Sequence, residues 1–173
     1  MTAGGRDRDQ AGRPRNARPR DAAGRPLPHD ATGEPRIPDE LALSAAETLE
    51  LAQRLLDDGR PFGAHEVLEA AWKTGPAAER DLWQGLAQLA VGLTHAQRGN
   101  ARGAVTLLRR GAGRIGGYVP AAEAGPAGRP DIDVRAVIQA AGELAGRVER
   151  DGLDTVSADD LRLRLPAGPP APA

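Results

Sequence analysis

The chain has 173 residues, a formal net charge of −1, no cysteine and 2% aromatic residues. This length suffices for one domain with a sizeable core, and the near-neutral charge gives no global attraction to nucleic acid or to a membrane surface. The lack of cysteine excludes a disulfide framework, thiolate metal sites and cysteine nucleophiles, and we expect a cytoplasmic protein.

The first 38 residues form a tail rich in Arg, Pro, Gly and Asp. The tail has almost no large apolar residue, so it cannot bury enough surface to offset its ordering entropy, and we expect disorder. An ordered strap along the domain is the alternative, because the run RPRDAAGRPLP looks more specific than random low complexity. Acidic residues interrupt the arginines and no aromatic residue can stack on bases, so we expect no specific nucleic-acid binding.

The first two helices have clear start and stop signals. Ser44 and Glu47 form a capping box, which satisfies backbone N–H groups that a helix start leaves unpaired. Gly59 suits the C-terminal stop of this first helix. The second helix is predicted from about Pro61 to Lys73, because proline suits a first helical turn, where its missing N–H is not needed.

The stretch Asp81–Gly99 is predicted to form one long central helix. It has no Asp, Glu, Lys or Arg between Leu82 and Gln97, and a helix that is apolar or neutral all round is normally buried on most sides. One face carries leucines at helical spacing, namely Leu82, Leu86, Leu89 and Leu93. The opposite face carries Gln84, Gln88, Val91 and His95.

The C-terminal half contains two further helices. The fourth helix is predicted from about Ala101 to Ala112, and the fifth from about Val134 to Arg150. Residues 114–130 are rich in Gly, Pro and Ala and are predicted to be a long surface loop. From residue 154 onward we expect a mobile, proline-rich tail. No apolar run approaches the roughly 20 residues of a membrane span, so we expect no membrane association.

An internal sequence repeat, which we call the echo, relates the two helical turns. The segments DDGRPFGAHEVL and QRGNARGAVTLL place Gly59 over Gly99 and Gly63 over Gly103, each as helix, glycine turn, helix. Such pairs resemble tetratricopeptide-type hairpins, in which small residues let two helices cross closely. We therefore predict an all-α fold, a compact bundle of about five helices built from two αα-hairpins plus a closing helix. The bundle spans residues 39–153 and has disordered N- and C-terminal tails, 1–38 and 154–173.

Candidate functional residues lie on the second and central helices, where aromatic, acidic, histidine and glutamine side chains share faces at helical spacing. If these two helices pack antiparallel, His65, Glu69 and His95 converge with Gln88 in a semi-buried polar pocket. The candidate catalytic residues are His65, Glu66 and Glu69, and the candidate ligand-binding residues are Trp72, Gln84, Gln88 and His95.

Several kinds of chemistry fit this cluster. His65, Glu69 and His95 carry imidazole and carboxylate donors that suit a divalent metal such as Zn²⁺, Mn²⁺ or Fe²⁺. The segment from His65 to Glu69 resembles the HExxH pattern of zinc peptidases, but Glu69 replaces the second His and removes one ligand. Without a metal, Glu69 could orient His65 as a general base. In the structural interpretation, these side chains only hydrogen-bond one another within the core.

The segments FGAHEVLEAAWK and ERDLWQGLAQLAVGLTHAQRGNARGAVTLL resemble the domain of unknown function 309 family. The matching positions are Phe62, Ala64, His65, Glu66, Glu69 and Trp72 in the first segment, then Gln84, Gly85, Gln88, Ala90, His95, Gly99, Asn100, Gly103 and Ala104 in the second. The resemblance covers roughly residues 45–112 and implies a small all-helical bundle. It supports the choice of candidate residues, and it implies no reaction.

These observations lead to one functional hypothesis and two alternatives. The leading hypothesis is a helical-bundle protein that acts through a semi-buried His/Glu/Gln pocket and binds a small ligand or a divalent metal. The first alternative is an αα-hairpin, tetratricopeptide-like protein-interaction module, and the second is a metal-dependent hydrolase. The sequence is compatible with a homo-oligomer or with a protein partner.

Overall fold

The computed structural model describes residues 18–22, 24–34, 37, 43–123 and 130–168 and confirms the all-α prediction. Its helices are α1 (Ala45–Asp57), α2 (Pro61–Thr74), α3 (Arg80–Gln97), α4 (Ala101–Glu123) and α5 (Val134–Asp151), with short 3-10 turns at Ala77–Glu79 and Leu153–Thr155. Over the described residues, no helix is both long enough and apolar enough to cross a membrane.

The predicted helix boundaries at the first hairpin are confirmed by their caps. The Ser44 hydroxyl accepts a hydrogen bond from the Glu47 N–H at 3.2 Å, and the Glu47 carboxylate accepts one from the Ser44 N–H at 2.8 Å. Gly59 and Gly99 follow α1 and α3 with φ angles of +68° and +77°, a left-handed conformation that favours glycine. Both glycines therefore occupy the turns that the internal echo predicted.

Helix α3 is the central helix of the bundle. It packs against α2 on one side and against α4 on the other, while α1 packs on α2 and α5 packs on α4. The four leucines of its stripe are all at most 1% exposed, namely Leu82, Leu86, Leu89 and Leu93. The Gln97 side chain donates to the Gly59 carbonyl at 2.8 Å, so α2 and α3 run antiparallel with the two glycine turns at the same end of the bundle.

The prediction that α4 ends near Ala112 was wrong. The helix continues to Glu123, so residues 114–123 are helical rather than a loop, and residues 124–129 lie outside the described residues. Leu108, Ile115 and Tyr118 are buried at helical spacing on the face that includes Gly111. A Cβ atom added to Gly111 would lie 2.7 Å from the Gly85 carbonyl oxygen of α3. The glycine that suggested a loop therefore serves a close helix crossing.

The segment after α5 returns to the start of the bundle. Leu163 is buried, the Gln53 side chain of α1 accepts a hydrogen bond from the Leu165 N–H at 2.7 Å, and the Asp133 N–H donates to the Pro166 carbonyl at 2.8 Å. Residues 163–166 thus join α1 to the start of α5. The boundary at residue 154 and the mobility of the C-terminal tail stay predictions.

Candidate functional site

One face of α2 carries the predicted His–Glu pair. The His65 Nε2 atom lies 3.5 Å from Glu69 Oε2, and Glu69 Oε1 lies 3.1 Å from Lys73 Nζ. The Phe62 ring lies one turn before His65, with 6.0 Å between the ring centroids. This spacing follows from the helix, because residues four apart lie one above the other. The His65 side chain is 23% exposed, so the face is open on one side.

The environment of His65 favours the neutral imidazole. Burial is the largest cause and lowers the pKa of His65 below its ordinary value, and the Lys73 charge acts in the same direction. The Glu69 carboxylate and the Ala87 carbonyl oppose this shift. The Nδ1 atom of His65 is buried without a hydrogen-bond partner.

His95 belongs to a different environment, although α2 and α3 are antiparallel as the pocket hypothesis requires. Its Nδ1 atom lies 2.8 Å from Asn100 Nδ2, and a Cβ atom added to Gly103 of α4 would lie 2.5 Å from the same Nδ1. The Asn100 side chain also accepts a hydrogen bond from the Gly103 N–H at 2.9 Å. His95 is therefore part of the turn between α3 and α4.

The predicted three-residue metal cluster is not assembled. Across the described ranges, which include His65, Glu69 and His95, no group of three or more His, Cys, Asp or Glu side chains could hold a metal ion. The remaining predicted residues Trp72, Gln84 and Gln88 are half-buried, and the Oε1 atom of Gln88 is buried without a hydrogen-bond partner. Their roles stay predictions.

A cavity that the sequence did not predict lies beside Glu66. We call residues 18–22 and 24–34 the strap, because they cross the first turn of α2. The strap and α2 enclose a volume of about 270 Å³, which we call the strap cavity. It is lined by Arg18, Pro19, Arg20, Asp21, Ala22, Ala31, Gly33 and Glu34 of the strap, and by Arg60, Phe62, Gly63 and Glu66.

Specific contacts hold the strap on α2. The Arg20 guanidinium lies over the Phe62 ring, 5.1 Å from its centroid, and Glu34 forms an ion pair with Arg60. Gly24 is buried with φ +71°, and a Cβ atom there would collide with Phe62 and lie 2.8 Å from Arg98 Nη2. The run RPRDAAGRPLP was the available signal for this segment, since it contains both Arg20 and Gly24.

Residues 49–107 match the family model described as Domain of unknown function (DUF309). The resemblance to this family that the sequence indicated is confirmed over these residues. The DUF309 match runs from α1 into α4 and includes every candidate side chain that the sequence predicted, whereas the strap and α5 lie outside the matched residues. No curated protein and no solved structure matches the chain.

Proposed function

We propose that the DUF309 domain and its strap form a binding module for a small ligand, with the strap cavity as the site. The observation that carries this proposal is the composition of the cavity wall. Phe62, Ala31 and Gly63 supply apolar surface, while arginine and carboxylate side chains from the strap and α2 border the same space. Apolar walls with a few converging polar groups are typical of ligand sites.

Arg60 indicates what the ligand must offer. Its Nη2 atom pairs with Glu34, but its Nε atom is buried without a hydrogen-bond partner. A buried donor is costly to leave unpaired, so a ligand that presents an oxygen acceptor to Arg60 would be favoured. The volume of about 270 Å³ lies slightly below the roughly 300–1,000 Å³ of drug-sized sites, which points to a small metabolite.

Binding is better supported than catalysis. His65 and Glu69 do not line the strap cavity, and the described residues offer no group of side chains that could hold a catalytic metal. We therefore do not propose a metal-dependent hydrolase. The protein-interaction module remains an untested alternative.

Thermal unfolding with defined probes tests the proposal. Acetate, glycine and inorganic phosphate each present oxygen acceptors, and a ligand at 100 times its Kd stabilises a protein by about 2.7 kcal/mol. We expect at least one probe to raise the melting temperature of the wild type in a saturable manner. The Ala31→Phe variant, which fills the cavity, should lose this response.

The matched control is Ala78→Phe, an equal increase in size at an exposed position outside the cavity. This variant should respond to the probe as the wild type does. Failure of all three probes to stabilise the wild type would contradict the proposal, and so would an unchanged response in Ala31→Phe.

A further inference from the structure

A second cavity lies at the other end of α2. It has a volume of about 330 Å³ and shares no lining residue with the strap cavity. We call it the Glu79 pocket. It is bordered by the start of α1, the end of α2 and the following 3-10 turn, and its wall consists of Leu43, Ser44, Ala45, Thr48, Ala71, Thr74, Gly75, Pro76, Glu79 and Trp83.

The carboxylate of Glu79 is the charged group of this pocket. Glu79 is only 9% exposed, and its Oε2 atom accepts a hydrogen bond from Trp83 Nε1 at 2.9 Å. Within the described part of the chain, no Lys, Arg or His lies at ion-pair distance from it. Glu79 lies at the N-terminus of α3, which favours a negative charge. Removing a carboxylate from water is nevertheless costly without a positive partner, so a cation in the pocket would be favoured.

The rest of the wall defines which cation fits. Ser44, Thr48 and Thr74 also line the pocket. The Ser44 hydroxyl already caps α1, whereas the Thr74 hydroxyl donates to the Ala70 carbonyl at 3.0 Å and its oxygen can still accept a hydrogen bond. The other side chains of the wall are apolar, and Trp83 is 2% exposed beneath them. A primary ammonium group has three donors for the carboxylate and the hydroxyls, and an attached alkyl chain would contact the apolar wall.

We propose that the Glu79 pocket binds a primary alkylammonium group, with Glu79 as its counter-ion. The group could belong to a free amine or to a lysine side chain, since both present the same chemistry. This site is independent of the strap cavity, because the two share no residue.

Trp83 fluorescence gives a direct measurement. The chain contains two tryptophans, so a Trp72→Phe background leaves Trp83, which hydrogen-bonds Glu79, as the only one. Titration with n-butylammonium chloride should change the fluorescence in a saturable manner, while n-butanol and sodium chloride at matched concentrations should not. An N-acetylated, C-amidated Gly-Lys-Gly peptide, whose only ammonium group is the lysine side chain, is titrated in parallel and distinguishes a lysine side chain from a free amine by which of the two binds more tightly.

Glu79→Gln removes the charge but retains an oxygen that can accept from Trp83. We expect at least about tenfold weaker butylammonium binding, which corresponds to about 1.4 kcal/mol. Glu50→Gln, a charge removal at an exposed position of α1, should bind as the parent does.

The Ala71→Leu variant keeps the Glu79–Trp83 hydrogen bond and fills the pocket, so it provides the same test if Glu79→Gln does not fold. It should also lose binding. Equal responses to butylammonium and butanol, no saturable response to either ammonium probe, or unchanged binding in the folded Glu79→Gln variant would each overturn the proposal.

Discussion

The two helical hairpins share a sequence pattern but have different surroundings. In both, a glycine with positive φ ends the first helix, at Gly59 and at Gly99. A Cβ atom at Gly63, in the first hairpin, would have Leu55 Cδ2 as its nearest neighbour at 3.3 Å. In the second hairpin, a Cβ atom at Gly111 would approach the Gly85 backbone to 2.7 Å.

This difference accounts for the position of the strap cavity and the Glu79 pocket on the first hairpin. The cavity of about 360 Å³ on the second hairpin lies at its turn instead, beside His95, Asn100 and Gly103. The α3–α4 crossing brings backbone against backbone at its glycines, so little space remains between these helices. The face of α2 instead meets the strap and the start of α1, where the strap cavity and the Glu79 pocket form. A repeated turn motif therefore specifies the local path of the chain, and the neighbouring segments decide how closely the helices beside the turn pack.

The largest expected effect compares two equivalent leucines. Leu68 and Leu108 occupy matching positions of the echo and are 1% and 0% exposed. Truncation of a buried leucine to alanine costs about 2–5 kcal/mol. We expect Leu108→Ala to be the more destabilising variant, because a Cβ atom at Gly92 would already lie 3.1 Å from Leu108 Cγ, and such close helices can collapse little around a void.

Urea unfolding of the two leucine variants measures this difference. Equal losses of unfolding free energy would show that both hairpins relax equally well around the void left by the leucine. A larger loss in Leu68→Ala would reverse the comparison between the two hairpins.

Gly111→Ala tests the crossing directly. The added methyl group would meet the Gly85 carbonyl oxygen, and overpacking of this kind typically costs about 1–3 kcal/mol. Gly113→Ala is the matched control, because a Cβ atom there meets nothing within 4 Å. The control should stabilise the protein by about 0.5–1 kcal/mol, since alanine is the better helix former. Thermal unfolding of both variants measures these effects. A stabilising effect of Gly111→Ala would contradict the close crossing.

The pH dependence of stability tests the α2 face. Because the pKa of His65 is lowered in the folded protein, the folded state binds a proton less readily than the unfolded state near pH 6. The free energy of unfolding is therefore highest above the ordinary pKa of about 6.5, where His65 is neutral in both states. It decreases as the pH falls from that value through the lower folded-state pKa, because the unfolded state is protonated first. We expect the melting temperature to fall between pH 7.5 and pH 5, and His65→Gln should reduce this fall.

The control is the pH interval above the ordinary histidine pKa. Between pH 7.5 and pH 8.5 His65 is neutral in both the folded and the unfolded state, so the wild type and His65→Gln should show the same dependence on pH there. If His65→Gln and the wild type lost stability equally between pH 7.5 and pH 5, His65 would not be the group responsible.

The smallest effect on global stability is expected at the strap. Gly24→Ala introduces a side chain at positive φ against Phe62 and Arg98, so it should detach the strap and leave the helices folded. Limited trypsin digestion should then cleave faster after Arg20. The free energy of unfolding should change by no more than it does for a typical surface substitution, about 0.5 kcal/mol. Ala22→Ser, at an exposed strap position, should leave the cleavage rate unchanged, and equal rates in the two variants would contradict the docking of Gly24.

Local sequence signals were sufficient to predict most of the helices. The capping box at Ser44, the glycine turn at Gly59 and the leucine stripe of α3 each depend on residues within a few turns, and each was predicted correctly. The pairing of His65 with Glu69 was equally local, because a helix brings residues four apart together.

Long-range contacts determined the features that the sequence did not predict. In the sequence alone, Gly111 favours a loop. In the structure it allows α3 and α4 to cross closely, because Gly85 lies opposite. His95 faces Asn100 and Gly103 instead of His65, since its position depends on how α4 meets α3. The strap cavity requires Gly24 and Phe62 to meet, and they lie far apart in the chain. Periodicity and caps thus determined four helices of this protein and the start of α4. The tertiary structure decided how far α4 extends and where the cavities formed, because both depend on which distant surfaces meet.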